Sequence, residues 1–379
     1  MTLLFAVALI FVGGCLAGGV TVSLLFRNSR RVRSFISKRT NEREAAAAAV
    51  QLRLAGGPHF VAVGGGTGLS SLLKGLKGYT RNIVALVTVT DEGGSSGRLV
   101  RDWGMLPPGD IRNCLGALSE NDDQLRAFMN FRFGQGDLKG HSLGNLILLA
   151  ATEQSGDFKN AVELVNNLLA IRGRVLPITT ENVTLVAETN DGATLRGELA
   201  VAERGRDIRS IRLEPSGVKP VREAFSVLRH ADMVILGPGS LFTSVIPNLL
   251  VEDFTAALRT SKRPVVYVTN LMTQPGETSG MTQLDHIQWV AKALGRYPDA
   301  VVLNEDIIPE PLREKYRAQG AEPLSLGRQD EEFLISKGCQ VFRASLLQIQ
   351  ESGVVRHHSA RLAEALMRIS RKLNGGYEL

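Results

Sequence analysis

Three glycine-rich stretches carry the residues best suited to chemistry. The first is Gly64-Gly65-Gly66-Thr67-Gly68, set between a β-rich apolar run and a helical pattern. Glycines let the main chain approach a ligand closely, and the N-terminus of a following helix offers unpaired N–H groups to an anion. The spacing is not a P-loop, since no Gly-Lys-Ser/Thr follows, nor a clean G-x-G-x-x-G. The second stretch, Asp91-Glu92-Gly93-Gly94-Ser95-Ser96-Gly97-Arg98, joins two adjacent acids to glycines, hydroxyls and an arginine. Its main chain and serines suit a phosphate. Asp91 and Glu92 suit a hydroxylated ligand or a hard cation such as Mg2+. The third, Gly237-Pro238-Gly239-Ser240 with Thr243 just beyond, is again of phosphate-binding type.

Further polar residues accompany these loops. Asp110 and Asn113 open a helical stretch, where Asp110 suits an N-cap as well as a site role. His141 and Asn145 stand one helical turn apart, and Asn270, Thr273 and Gln274 follow another β-rich run. No G-x-S-x-G elbow supports serine hydrolysis, and the histidines lack zinc spacing; His357-His358 reads as a surface pair.

These residues need a scaffold that brings them together. Short apolar runs at 59–63, 83–89, 233–236, 265–268 and 300–303 alternate with helical stretches at 69–76, 111–118, 123–131, 143–153 and 158–169. That alternation predicts an α/β fold, a Rossmann-like parallel sheet with helices on both faces. Ligands of such sheets bind outside the carboxyl ends of the strands, so the loops converge on one composite nucleotide-type site. Residues 183–189 and 194–200 alternate apolar and polar around Asn190-Asp191-Gly192, which predicts a small antiparallel hairpin insertion within about 175–215. The binding domain is expected over 58–330. Residues 331–379, ending in a helix at 359–373, read as packing elements of the same domain.

Composition bounds the alternatives. The 379 residues are 44% hydrophobic and 22% charged, which is ample for a folded core, and three cysteines are too few for a disulfide framework. Residues 27–57 hold eight basic and two acidic side chains, enough to account for the whole net charge of +6. The remainder is balanced, which excludes a nucleic-acid binder by charge. Residues 1–26 are uncharged and mostly apolar, and Arg27 to Arg39 are basic only. An N-terminal transmembrane helix at 1–26 is therefore expected, with a basic, helical juxtamembrane linker at 27–57 and the body held in the cytoplasm.

The motifs GGGTGLS (64–70), DEGGSSGRL (91–99), MLPPGDIRNCL (105–115), FRFG (131–134), GHSLGN (140–145), GRVLP (173–177), ILGPGSLFTSVIPNLLV (235–251) and NLMTQPGET (270–278) together resemble the gluconeogenesis factor family. That family is related to 2-phospho-L-lactate transferase in the CofD-like superfamily. The resemblance implies a nucleotide-sugar ligand, UDP-N-acetylglucosamine, and a role linking cell shape and envelope synthesis to carbon metabolism. The transferase branch implies instead movement of a phospholactyl group from a guanosine dinucleotide to a deazaflavin with Mg2+. The resemblance implies a nucleotide-linked metabolite as partner; the inner membrane is expected from the apolar run of residues 1–26 and not from the family, and an envelope-synthesis regulator and a second copy of the chain are further partners expected. The family's usual Asp-Asp pair is Asp91-Glu92 here, Met281 replaces its aromatic, and Phe242 its tyrosine.

Overall fold

The structure is a computed structural model that describes residues 49–120 and 122–375. The transmembrane segment expected at 1–26 and the linker up to residue 48 lie outside the described residues, while 49–55 are helical as expected of the linker. Among the described residues no single helix is long and apolar enough to cross a membrane. The chain divides at Gly56/Gly57 into two compact units, and the second carries the candidate site.

That unit is built on a seven-stranded parallel sheet. Its strands are β1 (Phe60–Gly64), β2 (Ile83–Val87), β3 (Arg174–Pro177), β7 (Met233–Leu236), β8 (Val265–Val268), β9 (Ala300–Asn304) and β10 (Gln340–Ala344), in the order β10-β9-β8-β7-β1-β2-β3. β1 pairs with β2 on one side and β7 on the other, all in parallel register. The chain thus winds outward from β1 to one edge, returns, and winds to the opposite edge from β7. The switch point lies between β1 and β7, where an open α/β sheet leaves its ligand crevice.

The apolar runs are nearly continuous because both faces of the sheet are covered. Alternate residues feed two cores. Phe60 and Ala62 join Leu69, Leu72 and Leu73 of α1 (Gly66–Leu76), Ile111 and Leu115 of α3 (Gly109–Leu118), and Leu362 and Leu366 of α14 (Ser359–Leu373). Val61 and Val63 join Phe254 of α10 (Glu252–Thr260), Ile287 and Val290 of α11 (Gln283–Leu294), and Leu213. Each fully buried large aliphatic contributes about 1.5–3 kcal/mol, so Leu72→Ala would cost about 2–5 kcal/mol.

The antiparallel element is present but differs in its bounds. It is a three-stranded sheet of β4 (Thr184–Thr189), β5 (Thr194–Arg196) and β6 (Ile208–Glu214), in the order β5-β4-β6. Residues 174–177, expected partly within it, instead form edge strand β3 of the main sheet. β5 stops early because Gly197 turns at φ +90, after which Glu198–Arg204 is helix α7. β10, within the segment read as packing elements, extends the parallel sheet beside β9.

Candidate ligand-binding site

Two of the predicted loops meet face to face at the switch point. α1 begins at Gly66, directly behind β1, and its N-cap residue, Gly65, offers no side chain to cap it. Gly68 packs onto the Pro238–Gly239 main chain, and Gly64 lies against Gly237. The Gly237–Pro238 peptide is cis, and a π-helical turn over Leu241–Val245 follows. Between the loops lies a cavity of about 280 Å3. Ten predicted residues line it: Gly65, Gly66, Thr67, Gly68, Pro238, Gly239, Ser240, Asn270, Thr273 and Gln274. Gln274 Nε2 donates to Ser240 Oγ at 2.9 Å, which ties the β8 loop to the β7 loop. Its Oε1 is buried with no hydrogen-bond partner among the described residues.

Some of the wall escaped sequence reasoning. Tyr316, Val355, Arg356 and His357 complete the cavity from the C-terminal part of the chain. His357 is buried rather than one of a surface pair; its Nε2 bonds the Thr269 carbonyl at 3.1 Å, and burial pushes its pKa down to about 4. His358 instead caps α14, accepting from Arg361 N–H. Glu277 was also missed. It is buried, and its Oε1 accepts from the Phe242 and Thr243 N–H groups at 2.8 and 3.2 Å, fixing the π-turn. Thr243 therefore acts in that tie. Burial raises the Glu277 pKa to about 7 against the pull of those hydrogen bonds.

The second predicted loop lies elsewhere. Residues 94–103 form helix α2 (Gly94–Trp103), so Gly94, Ser95, Ser96 and Arg98 are helical. Asp91 Oδ1 accepts from Gly93 N–H at 2.9 Å, and its other oxygen lies close beside Gly109, where a side chain would collide with it. Glu92 turns the other way. Its carboxylate accepts from Glu198 N–H at 3.1 Å, and Glu198 accepts from Glu92 N–H at 3.0 Å, a reciprocal clasp on α7. Burial and Asp91 push the Glu198 pKa to about 8. Asp91 and Glu92 thus make separate internal contacts, the first at Gly93 and Gly109 and the second at Glu198. Among the described residues no group of three or more His, Cys, Asp or Glu converges to hold a metal.

Asp110 is not an N-cap. Pro108 occupies that position and Asp110 is the second residue of α3. Its carboxylate accepts the Gly66 N–H at the N-terminus of α1, and burial, then Asp91, raise its pKa to about 7. Ser95, His141 and Asn145 do meet, but in a buried network. Asn145 Nδ2 donates to Ser95 Oγ at 3.0 Å, and Ser95 shares a 3.1 Å bond with His141 Nδ1. Arg112 completes it, donating to Ser142 Oγ, Asn145 Oδ1 and Asn113 Oδ1 at 2.6, 3.3 and 2.8 Å. Burial and Arg98 hold the His141 pKa below its usual range. The network ties α2 and α3 to the helix Leu143–Ser155, and Ser95, Arg112, His141 and Asn145 do not line the 280 Å3 cavity.

A larger groove of about 650 Å3 lies between β6 and helices α10 and α11. No predicted site residue lines it, and it lies away from the carboxyl ends of the central strands.

Fold and cavity together define a doubly wound α/β protein with a ligand cleft at its topological switch point. The chain belongs to the CofD family, whose model, described as 2-phospho-L-lactate transferase CofD, matches residues 60–347. It is 44% identical over 319 residues to a protein of Nostoc sp., covering 83% of this chain and 69% of that one. It is 41% identical over 312 residues to the gluconeogenesis factor of Bacillus subtilis, covering 82% and 97%. A crystal structure of a UPF0052 family member from Bacillus halodurans matches with a TM-score of 0.77 at 39% identity, covering 81% and 99%.

Proposed function

We propose that the chain is a binding protein for a nucleotide sugar of the UDP-N-acetylglucosamine type. In this reading it is tethered to the inner membrane by residues 1–26, with its body in the cytoplasm, and it couples carbon metabolism to cell shape and envelope synthesis. The observation that carries the binding role is the division of labour between the loops. Ten predicted residues from three strand ends line one cavity, while the acidic pair is spent on internal bonds. Main-chain N–H groups at α1 and the hydroxyls of Thr67, Ser240 and Thr273 suit a pyrophosphate. The transferase reading asks Asp91 and Glu92 to share a metal, whereas their separate internal contacts support the binding role.

Calorimetry on the full-length chain tests the proposal. UDP-N-acetylglucosamine binds with the same affinity in Mg2+ and in chelator, and Asp91→Asn changes that affinity by less than about threefold, under ~0.7 kcal/mol. Absence of binding by the wild type defeats the proposal. Mg2+-dependent transfer from a guanosine-linked donor to a deazaflavin would establish the transferase instead. The tether has its own readout: a reporter fused after Leu379 is active on the cytoplasmic side, and activity on the far side would refute it.

A further inference from the structure

A second cavity, of about 500 Å3, adjoins the first and shares Thr67 and Arg356 with it. Its walls come from α1, α3, α4 (Asp122–Asn130) and the antiparallel pair β11 (Leu347–Ile349) and β12 (Val355–His357). Three cations line it, Lys74, Arg126 and Arg356, and no carboxylate does among the described residues. The rest of the lining is hydroxyl and amide, Asn113 and Gln348 included, apart from Ala117. Elsewhere on this protein arginines commonly face acids, as in Arg172–Glu120, Arg174–Glu163 and Arg343–Glu331. Neither Arg126 nor Arg356 makes an ion pair among the described residues. Like charges around one recess repel one another, and a cleft lined by one sign concentrates the opposite ion. The volume falls within the roughly 300–1,000 Å3 of small-molecule sites.

We infer that this second cavity is an anion subsite for a phosphorylated, polyhydroxylated group, with Arg126 as its cation and Arg356 at the junction with the first cavity. Cations take the phosphoryl oxygens, and the amides and hydroxyls take sugar hydroxyls. The group has two possible sources with the same chemistry. One is the sugar-phosphate end of the ligand in the first cavity, reaching past Thr67, and this source rests on the proposed function. The other is a separate hexose phosphate, which does not.

The test uses the full-length chain and Arg126→Gln, a substitution at an exposed side chain, with unchanged thermal unfolding as the check on folding. Glucose 6-phosphate, UDP and UDP-N-acetylglucosamine are titrated into each, and glucose 6-phosphate also into the UDP-saturated protein. Glucose 6-phosphate binding that survives UDP, weakens tenfold or more in Arg126→Gln and falls with added salt supports a separate metabolite. A tenfold or greater loss for UDP-N-acetylglucosamine, with UDP unchanged, supports the far end of one ligand. If Arg126→Gln leaves both sugar-phosphate probes unchanged, or neither binds, the subsite is overturned. UDP-sugar binding indifferent to Arg126→Gln, with no glucose 6-phosphate binding, sinks the subsite and leaves the proposed function standing. Arg126-dependent glucose 6-phosphate binding without any uridine ligand does the reverse.

Discussion

Gly68→Ala should push the two ligand loops apart. An added Cβ would lie 2.8 Å from the Pro238 carbonyl carbon and 3.1 Å from Gly239 N, and closer still to the Pro238 oxygen. All three are main-chain atoms, so no side chain can swing aside. Carbon contacts are comfortable at about 3.5–4.0 Å, so one loop must retreat by roughly 1 Å. Overpacking of that kind costs about 1–3 kcal/mol. For a unit spanning Gly57–Leu379 the unfolding midpoint should fall by about 1.5–4.5 °C, read by calorimetry. The same displacement widens the cavity between Gly65–Gly68 and Pro238–Ser240, so nucleotide-sugar affinity should drop at least tenfold, about 1.4 kcal/mol. Gly134→Ala is the control, because nothing lies within 4 Å of its added Cβ. Gly68→Ala with wild-type stability and affinity would refute the claim that these loops meet and form the site.

Two further substitutions probe the groups that hold the site. Asp110 is raised from 3.8 to about 7, so the native state binds a proton that the unfolded chain has lost between those values. Its stabilising effect is complete below the unfolded pKa and is lost as pH rises through 7. Wild-type stability relative to Asp110→Asn should therefore fall by about 1.4 kcal/mol per pH unit between pH 5 and 6.5, and a flat difference would show that Asp110 titrates normally. The comparison with the variant cancels His357, whose depressed pKa gives the opposite slope below pH 6.5. At Glu277, Gln keeps an acceptor for Phe242 and Thr243, whereas Ala strands two buried N–H groups. Chemical unfolding should place Glu277→Ala about 2–4 kcal/mol below wild type and Glu277→Gln within about 1 kcal/mol, and equal losses would assign Glu277 a packing role alone.

The central strands were legible because burial on both faces writes a continuous apolar run, as in Phe60–Gly64 and Met233–Leu236. β10 was not, since its Gln340 and Arg343 are exposed and its Val341 and Phe342 only half-buried, the mixed signature of an edge. The residue types of a phosphate loop and of a buried polar network are the same. Sequence therefore marked Ser95, His141 and Asn145 but could not say that they face one another instead of a ligand. Pro108 displaced Asp110 as the helix N-cap, a shift of two residues that turned a cap into a buried carboxylate under α1. Tyr316 and Arg356 sit outside any motif or periodic pattern that would have flagged them, while Glu198 lies in the alternating run 194–200 and Glu277 in the 270–278 motif, neither of which distinguishes a buried carboxylate. Only the return of the C-terminal chain over the strand ends brings Tyr316 and Arg356 to the cavity.

The location of the ligand can be read directly by photolabelling. A photoactivatable UDP-sugar is crosslinked to the full-length chain, and the adducts are mapped by peptide mass spectrometry. Adducts should fall within residues 64–76, 237–245, 270–278 and 316–321 and at 355–357, and excess UDP-N-acetylglucosamine should remove them. Competable adducts confined to the groove beside β6, at 210–218 or 289–293, would contradict a ligand site at the switch point.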